Sequence, residues 1–308
     1  MLNRAICAAR AAWYGAYESR QLRRRREKYE GKYLETFSGP FLKGGGSVVD
    51  VRLEKRPLVS VLIPTHNRVE LLVTRALPSV LAQTYTNLEI IVAAHGCTDD
   101  TESYVRGLTS IDPWPGVFGL TKEILGKYDP RVRLLTVPRK CTYPPTAENH
   151  WLAGPVAPLN AALKAATGAW VSRVDDDDVL APNHIESLLR FAQEGDYEFV
   201  SSAYETERDG ERGIVWPDGQ EPPIGGTQTW LWRSYLKFMR YNPDCWRKTW
   251  NRVNDTDLAD RFRKAGVRIG WTPEVTARVL PRPGETTVGL AAYRRDTEAT
   301  EAAFAFRT

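Results

Sequence analysis

The segment AWVSRVDDDDVLAP, residues 169–182, joins an apolar run of strand length to four consecutive aspartates, Asp175 to Asp178. Four like charges in a row repel one another, and they cannot all be buried unless a cation offsets their desolvation. An isolated acidic run is usually a solvated turn before a helix, here with Asp178 near the N-cap and Pro182 in the first helical turn. The rest of the chain must decide between an acidic turn and a cation site.

From Leu58 onward, apolar runs of strand length alternate with helical patterns, which predicts an α/β protein with a parallel sheet covered by helices. Strands are predicted at LVSVLIP, LEIIVAA, VRLLTVP and AWVSRV, and helices at VELLVTRALPSVLAQ, TDDTESYVRGL and PVAPLNAALKAATG. Pro78 should kink or divide the first helix, Thr98 or Asp99 should cap the second, and Gly168 should end the third. The aspartates then follow a parallel strand, at the sheet edge where open α/β sheets bind ligands.

Downstream of Pro182, the pattern predicts a helix at PNHIESLLRFAQEG, a strand at YEFVSSAYETE and a hairpin turn at RDGER. The chain becomes rich in Trp, Tyr, Arg and Lys from about residue 225. A helix at NDTDLADRFRKAG, a strand at VRIGWTP and a terminal loop and helix follow.

The composition of the 308 residues, 42% of them hydrophobic, allows one large core or one core plus a smaller unit. Its four cysteines lie far apart, so we expect unpaired thiols in a reducing compartment and no zinc site made from them. No apolar run approaches the roughly 20 residues of a membrane-spanning helix. The first twenty residues carry charge through their apolar part, which fits a cleavable signal peptide poorly. These features predict a cytoplasmic protein.

Near the N-terminus, RQLRRRREKYEGK places seven basic residues within residues 20–32. Ile6, Trp13, Tyr14 and Tyr17 precede it at near-helical spacing. A basic helix with an aromatic face is suited to an anionic membrane surface, which predicts peripheral contact through residues 1–35. The alternative, an exposed helix packed on the domain or on a partner chain, stays open. No nucleic-acid partner is expected, since the rest of the chain lacks an interleaved basic and aromatic stripe.

Five motifs occur together in one order: VSVLIPTHNRVELL, ALPSVLAQTYTNLEIIV, GCTDDT, DDDD followed by Pro182, and NDTDL. In order and spacing the chain resembles the family 2 glycosyltransferases of the GT-A fold, over roughly residues 57–275. The resemblance implies a Rossmann-like, mostly parallel sheet with helices on both faces. We accordingly divide the chain into a basic helical extension, 1–50, a nucleotide-sugar-binding half, 57–225, and an acceptor-side half with a C-terminal helix, 226–308.

The resemblance also implies a role for the four aspartates. A nucleotide-sugar donor carries a diphosphate whose charge must be neutralised as the sugar leaves, and Mg²⁺ or Mn²⁺ held by carboxylates does this. Counted back from Pro182, Asp177 is the expected metal ligand. Asp175 and Asp176 would hold ribose hydroxyls or complete the metal's contacts, and Asp178 would cap the following helix.

The donor's nucleoside is expected to lie at the ends of the first two strands, against residues 64–68 (Pro64, Thr65, His66, Asn67 and Arg68) and His95. Where the family commonly has two aspartates, the second of which reads uracil, this chain has Ala94 and His95. A UDP-sugar is the family default, and guanine, thymine and cytosine stay open as the base. Since protonated histidine loses its acceptor lone pair, we expect donor affinity to fall as pH drops through about 6.5.

By the same resemblance, Asp255 of NDTDL is the expected general base, which deprotonates the acceptor hydroxyl while the diphosphate leaves from the opposite face, with inversion. Asn254 replaces the family's usual glutamate. The alternative for Asp255 and Asp257 is charge complementing a helix N-terminus. The tryptophans suit either sugar stacking or a hydrophobic core; they are Trp230, Trp232, Trp246 and Trp250.

These inferences predict a metal-dependent, inverting glycosyltransferase of surface-polysaccharide or lipid-linked glycan assembly, in the cytoplasm, with peripheral contact at the inner face of the membrane. A retaining GT-A enzyme and a non-catalytic nucleotide- or sugar-binding scaffold stay open as alternatives. A nucleotidyltransferase would be expected to show a glycine-rich loop after the first strand, and PTHNR contains no glycine.

Overall fold

The computed structural model describes residues 2–38, 56–109, 129–139, 143–144, 146–217, 219–247, 254–289 and 291–292, without the side chains of 2–12, 36–38 and 147. All structural statements below concern these residues. Cys141, Trp250, most of the predicted terminal helix and the side chains of Ile6 and Cys7 lie outside the description.

The described strands form one nine-stranded sheet in the order β3-β2-β1-β4-β8-β6-β9-β5, with β7 paired to β6. Their bounds are β1 Val59–Thr65, β2 Leu88–His95, β3 Val132–Val137, β4 Trp170–Arg173, β5 Asp178–Leu180, β6 Phe199–Arg208, β7 Glu211–Val215, β8 Leu231–Arg233 and β9 Ile269–Val279. β1 pairs in parallel with β2 and β4, β2 with β3, and β6 with β9, whereas β5, β7 and β8 pair antiparallel.

Helices cover both faces of this sheet. They are α1 Leu2–Ser38, α2 in three parts (Val69–Leu71, π-helical Leu72–Ala76, Leu77–Leu81), α3 Thr101–Thr109, α4 Ala147–Ala153, α5 Val156–Ala165, α6 His184–Glu194 and α7 Asn254–Lys264. Val61 and Ile63 of β1 face one core, shared with α2, α3 and α6, while Leu62 faces a second core, shared with α5 and α7. Because both faces are covered, every residue of β1 and β2 is buried. This confirms the predicted α/β architecture.

The first helix after β1 is divided just before Pro78, as predicted, by a π-helical part. Pro78 lies in the last part of α2, directly after the π-helical turn. In that turn the N–H of Leu77 bonds to the carbonyl of Leu72, five residues back. A widened turn accommodates the proline's missing donor and its bulk, so the helix is not ended.

The prediction that Gly168 ends the helix before β4 was wrong. The helix α5 ends at Ala165, and Gly168 lies beyond it against β1. A Cβ on Gly168 would come within 2.6 Å of the Ser60 hydroxyl and 2.8 Å of the Leu58 carbonyl oxygen. The glycine is therefore required by close backbone packing.

Asp178 is not a helix cap, and this prediction was wrong. Asp178 begins β5, which pairs with the far end of β9, while α6 begins only at His184 with Asn183 at its N-cap. The chain thus leaves β4 and crosses the carboxyl edge of the sheet to reach the other end of the strand order. The pairing with a distant part of the chain therefore places Asp178 in a strand and not at the start of the helix.

The helix α1 docks on the edge of the sheet opposite the ends of β1 and β4. Arg26 Nη1 lies 2.7 Å from the buried carboxylate of Glu198, which directly precedes β6. Tyr29 stacks on Phe238 with the ring centroids 4.9 Å apart, and Arg268, just before β9, pairs with Glu30 at 3.2 Å. This part of α1 packs on the domain, which is one of the two expected arrangements.

The described segment of α1 that precedes these contacts presents aromatic side chains to solvent. Trp13, Tyr14 and Tyr17 are 62%, 64% and 52% exposed and contact one another. No described helix is both long enough and apolar enough to cross a membrane.

Candidate active site

A cavity of about 590 Å³ opens at the carboxyl ends of β1, β2 and β4. One wall comes from the ends of β1 and β2, another from the aspartate segment after β4, and a third from β6 and the start of α7. Of the residues predicted for the site, the structure places these in the lining: Pro64, Thr65, His66, His95, Asp175, Asp176, Asp177 and Asp255.

Asn67 does not belong to the lining. Its backbone φ is +50°, in the left-handed region that asparagine tolerates better than most residues. Its side-chain oxygen accepts hydrogen bonds from the backbone N–H groups of Thr98 at 2.7 Å and Asp99 at 3.4 Å. Asn67 therefore holds the turn between β2 and α3 against the end of β1. Asp99 in turn accepts from the N–H of Thr101, in the first turn of α3.

His66 uses both of its ring nitrogens within the protein. Arg139 Nη1 lies 2.9 Å from His66 Nε2, and an arginine can only donate, so Nε2 is the acceptor. The proton is then on Nδ1, which donates to the backbone carbonyl of His95 at 2.7 Å. Burial and the Arg139 charge lower the pKa of His66, which keeps the ring neutral.

His95 is the histidine of this pair whose ring nitrogen is left for a ligand. Its side chain is 8% exposed, and Nε2 is buried without a hydrogen-bond partner. Burial, with smaller contributions from His66 and Arg139, lowers the pKa of His95 to about 4. The loss of an acceptor expected near pH 6.5 is thereby moved well below that value, which corrects the sequence-based expectation.

The first three aspartates are paired with arginines. Arg173 Nη2 contacts both carboxylate oxygens of Asp175, at 2.7 and 3.0 Å. Arg68 Nη1 bridges Asp176 at 3.0 Å and Asp177 at 3.3 Å. Burial, opposed by Arg68 and reinforced by Asp177, raises the pKa of Asp176 to about 6. The four carboxylates are therefore not equivalent.

Asp178 is the least compensated member of the run. It is 5% exposed, lines the cavity, and has no side-chain hydrogen bond or ion pair with any described residue. Burial, followed by the charges of Asp177 and Asp175, raises the pKa of its carboxyl well above the usual range. An unpaired buried carboxylate beside two others is a site that a cation would stabilise.

The donor set of this segment fits Mg²⁺ or Mn²⁺. Both prefer oxygen ligands, and Mg²⁺ in particular is usually held by one or two carboxylates together with substrate phosphates. No group of three or more His, Cys, Asp or Glu that could hold a metal ion by itself occurs among the described residues. The carboxylates of Asp177 and Asp175 are the ones that the sequence analysis assigns to the metal.

Asp255 enters the cavity from the start of α7, beside the buried guanidinium of Arg173. Burial raises the pKa of Asp255, and the Arg173 charge limits the increase. Arg173 also reaches Asn254 Oδ1 at 3.4 Å, so it joins the aspartate segment to α7. Asp257, in contrast, is buried in an ion pair with Arg261 at 2.9 Å within the helix and is absent from the lining.

Several lining residues were missed by the sequence reasoning: His150, Arg173, Tyr204, Arg208 and Gln228. The scarcity of histidine is a signal that could have pointed to His150: the chain has four histidines, and three of them line the cavity. His150 bonds to the Tyr143 hydroxyl at 2.8 Å, and burial lowers its pKa to about 3. No local signal marked Arg173, which ends an otherwise apolar strand.

Trp230 and Trp232 belong to the hydrophobic core and not to a sugar-binding surface. They are 2% and 1% exposed, and both pack against Phe262 of α7. Trp246 is partly buried and packs against the same core. The core alternative therefore holds for the described tryptophans.

A loop after β9, residues 280–289 and here called the strap, borders the cavity. Arg75 of α2 donates to the carbonyls of Pro281 at 2.7 Å and Leu280 at 3.3 Å, and also to that of Asp177 at 3.0 Å. At the other end, the Thr286 hydroxyl donates to Asp209, in the β6–β7 turn, at 2.9 Å. The strap is thus tied to both the aspartate segment and the hairpin.

Comparison with known proteins gives a family match. A model of the family described as glycosyl transferase family 2 matches residues 60–140 and 146–258, more than half of the chain. A curated relative, the GalNAc(5)-diNAcBac-PP-undecaprenol beta-1,3-glucosyltransferase of Campylobacter jejuni, is 30% identical over 45% of this chain and 36% of its own length. The chain spans less than half the length of the first curated relatives it matches.

Two solved structures share the fold. The mannosyltransferase PcManGT from Pyrobaculum calidifontis, in complex with GDP-Man and Mn²⁺, gives a TM-score of 0.52 at 18% identity, covering 96% of this chain and 76% of that one. S. aureus TarS 1–349 in complex with UDP gives 0.51 at 18% identity, covering 73% and 61%. Identity at this level is informative about the fold alone.

Proposed function

Because the chain belongs to glycosyl transferase family 2, we propose that it transfers a sugar from a nucleotide-diphosphate donor to a hydroxyl of a glycan or lipid-linked acceptor. One observation carries the proposal: a single cavity brings the aspartate segment after β4 together with Asp255 of α7. The Campylobacter relative's name, an undecaprenol-linked glycan glucosyltransferase, supports assembly of a surface polysaccharide or lipid-linked glycan.

In this proposal the strands before residue 225 bind the donor. Pro64, Thr65 and His66 face the nucleoside, and His95 reads the edge of the base through its unpartnered Nε2. A neutral imidazole accepts from a base N–H or donates to a base carbonyl, according to its tautomer. The structural neighbours hold UDP and GDP-Man, so they favour neither base. A UDP-sugar is the first donor to test.

The donor diphosphate would lie at the aspartate segment, where Asp177 and Asp175 hold Mn²⁺ or Mg²⁺ and Asp176 approaches the ribose. The cation neutralises the charge that develops on the diphosphate. Asp178 adds a buried negative charge behind these ligands and so favours cation binding.

Asp255 would be the general base of an inverting displacement. It takes the proton of the acceptor hydroxyl, whose oxygen forms the new bond to the anomeric carbon. The bond from that carbon to the diphosphate oxygen breaks, and its electron pair leaves with the nucleoside diphosphate. A raised pKa suits this task, because a general base works best when its pKa lies near the operating pH.

The test compares Asp255→Asn with Asp177→Ala, in transfer and in nucleotide binding with and without Mn²⁺. Asp255→Asn should keep metal-dependent nucleotide binding and lose about 10²–10⁴-fold in turnover. Asp177→Ala should lose both turnover and the Mn²⁺ dependence of binding. Near-normal turnover in Asp255→Asn would move the base elsewhere, and full metal dependence in Asp177→Ala would contradict the ligand assignment.

We also propose that the exposed aromatic side chains of α1 and its basic residues contact an anionic membrane surface. Trp13, Tyr14 and Tyr17 supply an interfacial aromatic patch, and exposed arginines follow within residues 20–25.

A further inference from the structure

One positively charged side chain in the cavity has no role in the proposed reaction. Arg208, the last residue of β6, lines the cavity and is exposed. Among the described residues no carboxylate lies within ion-pair distance of its guanidinium. The other arginines that line the cavity are paired with carboxylates: Arg68 and Arg173 with aspartates, and Arg282 of the strap with Glu285 at 2.6 Å. A positive charge held in a cavity without an internal partner is suited to an anionic ligand.

Two unsatisfied polar groups lie in the same wall. Gln228 is 4% exposed, and its side-chain nitrogen is buried without a hydrogen-bond partner. The hydroxyl of the neighbouring Thr227 is likewise buried and unpartnered. A buried polar group without a partner destabilises the fold, so such groups call for an explanation. A ligand group entering this end of the cavity would supply the missing acceptor.

The absence of a side chain at Gly226 leaves room for the neighbouring side chains of this wall. A Cβ at this position would approach the Tyr204 ring to 2.5 Å and the Gln228 amide to 2.9 Å. Tyr204 lines the cavity together with Arg208, Asp178 and Asp255. The group formed by Tyr204, Arg208, Thr227 and Gln228, here called the Arg208 subsite, therefore adjoins the proposed base.

The Arg208 subsite is separate from the donor wall. His66 and His95 end β1 and β2, whereas Arg208 ends β6, four places beyond β2 in the sheet order. Asp209, which follows Arg208, holds the strap through Thr286. A group bound here would lie in the same cavity as Asp255 and the strap, away from the ends of β1 and β2.

We propose that the Arg208 subsite binds an anionic group of the acceptor, a carboxylate or a phosphate carried by its sugar, and so selects charged over neutral glycans. Arg208 supplies the charge, and the Gln228 amide and the Thr227 hydroxyl supply hydrogen bonds. This inference rests on the proposed transfer reaction, because it assigns the acceptor of the same site.

Calorimetric titration of the full chain with glucose, glucuronate and glucose 6-phosphate tests the proposal. Mg²⁺ and saturating UDP or GDP, whichever binds, occupy the donor wall. The two anionic sugars should bind at least about tenfold more tightly than glucose, ~1.4 kcal/mol. Comparing carboxylate with phosphate identifies which anion the subsite prefers.

Arg208→Gln should abolish this preference, and Gln228→Leu should weaken it. Arg212→Gln is the matched control, since Arg212 lies on the same hairpin, pairs with Glu207 at 3.3 Å and is absent from the lining. It should keep the preference. Equal affinity for the three sugars, no measurable binding of any, a preference that survives in Arg208→Gln, or anionic sugars that compete with the nucleotide would each overturn the proposal.

Failure of the proposed function looks different. In that case wild type and Arg212→Gln would show no Mn²⁺-dependent donor turnover, whatever the sugar preference. The sugar titrations need no turnover, so the two outcomes are read separately.

Discussion

Asp178 shows how one side chain can lower stability while it serves a site. Its pKa is raised in the folded state, so its contribution to stability is fully present below the unfolded pKa of about 3.9. That contribution is lost as pH rises through the folded-state value. Above the unfolded pKa, and without a cation, this buried carboxyl therefore lowers the stability of the fold.

We predict that Asp178→Asn raises the melting temperature of the metal-free protein near neutral pH. A gain of about 1 kcal/mol would raise Tm by ~2–4 °C in a large domain. The gain should shrink toward about pH 4, where the wild-type carboxyl is protonated. Thermal unfolding at both pH values measures it, with the exposed Asp244→Asn as control.

The same variant should show a smaller rise in Tm than wild type when Mn²⁺ and nucleotide are added, because it offers the cation less charge. A variant that is no more stable without metal would show that Asp178 is already neutral or compensated.

Arg173 is expected to set the pH at which Asp255 accepts a proton. Its charge limits the pKa of Asp255, so Arg173→Gln should raise that pKa and shift the acidic limb of the rate–pH profile toward higher pH. Arg173→Lys keeps a charge and should move the limb less. Profiles of kcat against pH for wild type, Arg173→Gln and Arg173→Lys measure the position of the acidic limb. An unmoved limb in Arg173→Gln would mean that Asp255 does not limit the rate.

His95 is expected to influence base preference. His95→Asp should shift nucleotide affinity toward UDP if the natural base is another one, and should be roughly neutral if uridine is already preferred. Affinities for UDP, GDP, dTDP and CMP in both proteins measure the shift. Since burial keeps His95 neutral down to about pH 4, its protonation should not weaken binding at pH 5.5–8. Unchanged preference would place His95 outside base recognition.

At the scale of elements, what could be predicted follows from how local each signal is. Buried strands such as β1 and β2 can be recognised in the sequence by their continuous apolar runs. The position of the aspartates at the end of a strand follows from the same pattern. The pairing of β5 with β9 is formed by residues about a hundred positions apart, so nothing near Asp178 revealed it. Arg173 and the Arg208 subsite were missed for the same reason, since their surroundings come from separate elements.

The docking of α1 gives a prediction at this scale. Arg26→Gln removes a charged hydrogen bond to the buried Glu198, an interaction worth about 1.5–3 kcal/mol. Hydrogen exchange in residues 18–34 should accelerate, and the global free energy of unfolding should fall. Nucleotide affinity should be unchanged, because the contact lies at the edge of the sheet opposite the cavity. Arg24→Gln, at an exposed position, is the control. Lower nucleotide affinity in Arg26→Gln alone would show that α1 supports the site.

For the whole molecule, membrane contact through α1 predicts co-sedimentation with phosphatidylglycerol vesicles and little with pure phosphatidylcholine. Each basic residue near an anionic surface contributes about 1 kcal/mol, and salt screens the attraction. Replacing Trp13, Tyr14 and Tyr17 together by serine should abolish sedimentation with vesicles. If wild type does not bind vesicles but self-associates, and the triple variant does not self-associate, the aromatic patch is a protein interface.

The position of α1 fixes how far from a bilayer the chemistry would take place. Glu198, against which α1 docks, directly precedes β6, and Arg208, in the cavity, is the last residue of that ten-residue strand, which spans ~33 Å. A helix resting on lipid would therefore hold the catalytic opening up to about that height above the headgroups. In the proposed membrane contact, this distance is the most by which the opening stands off the lipid, so an acceptor anchored in the same bilayer would have to bridge a gap no larger than that.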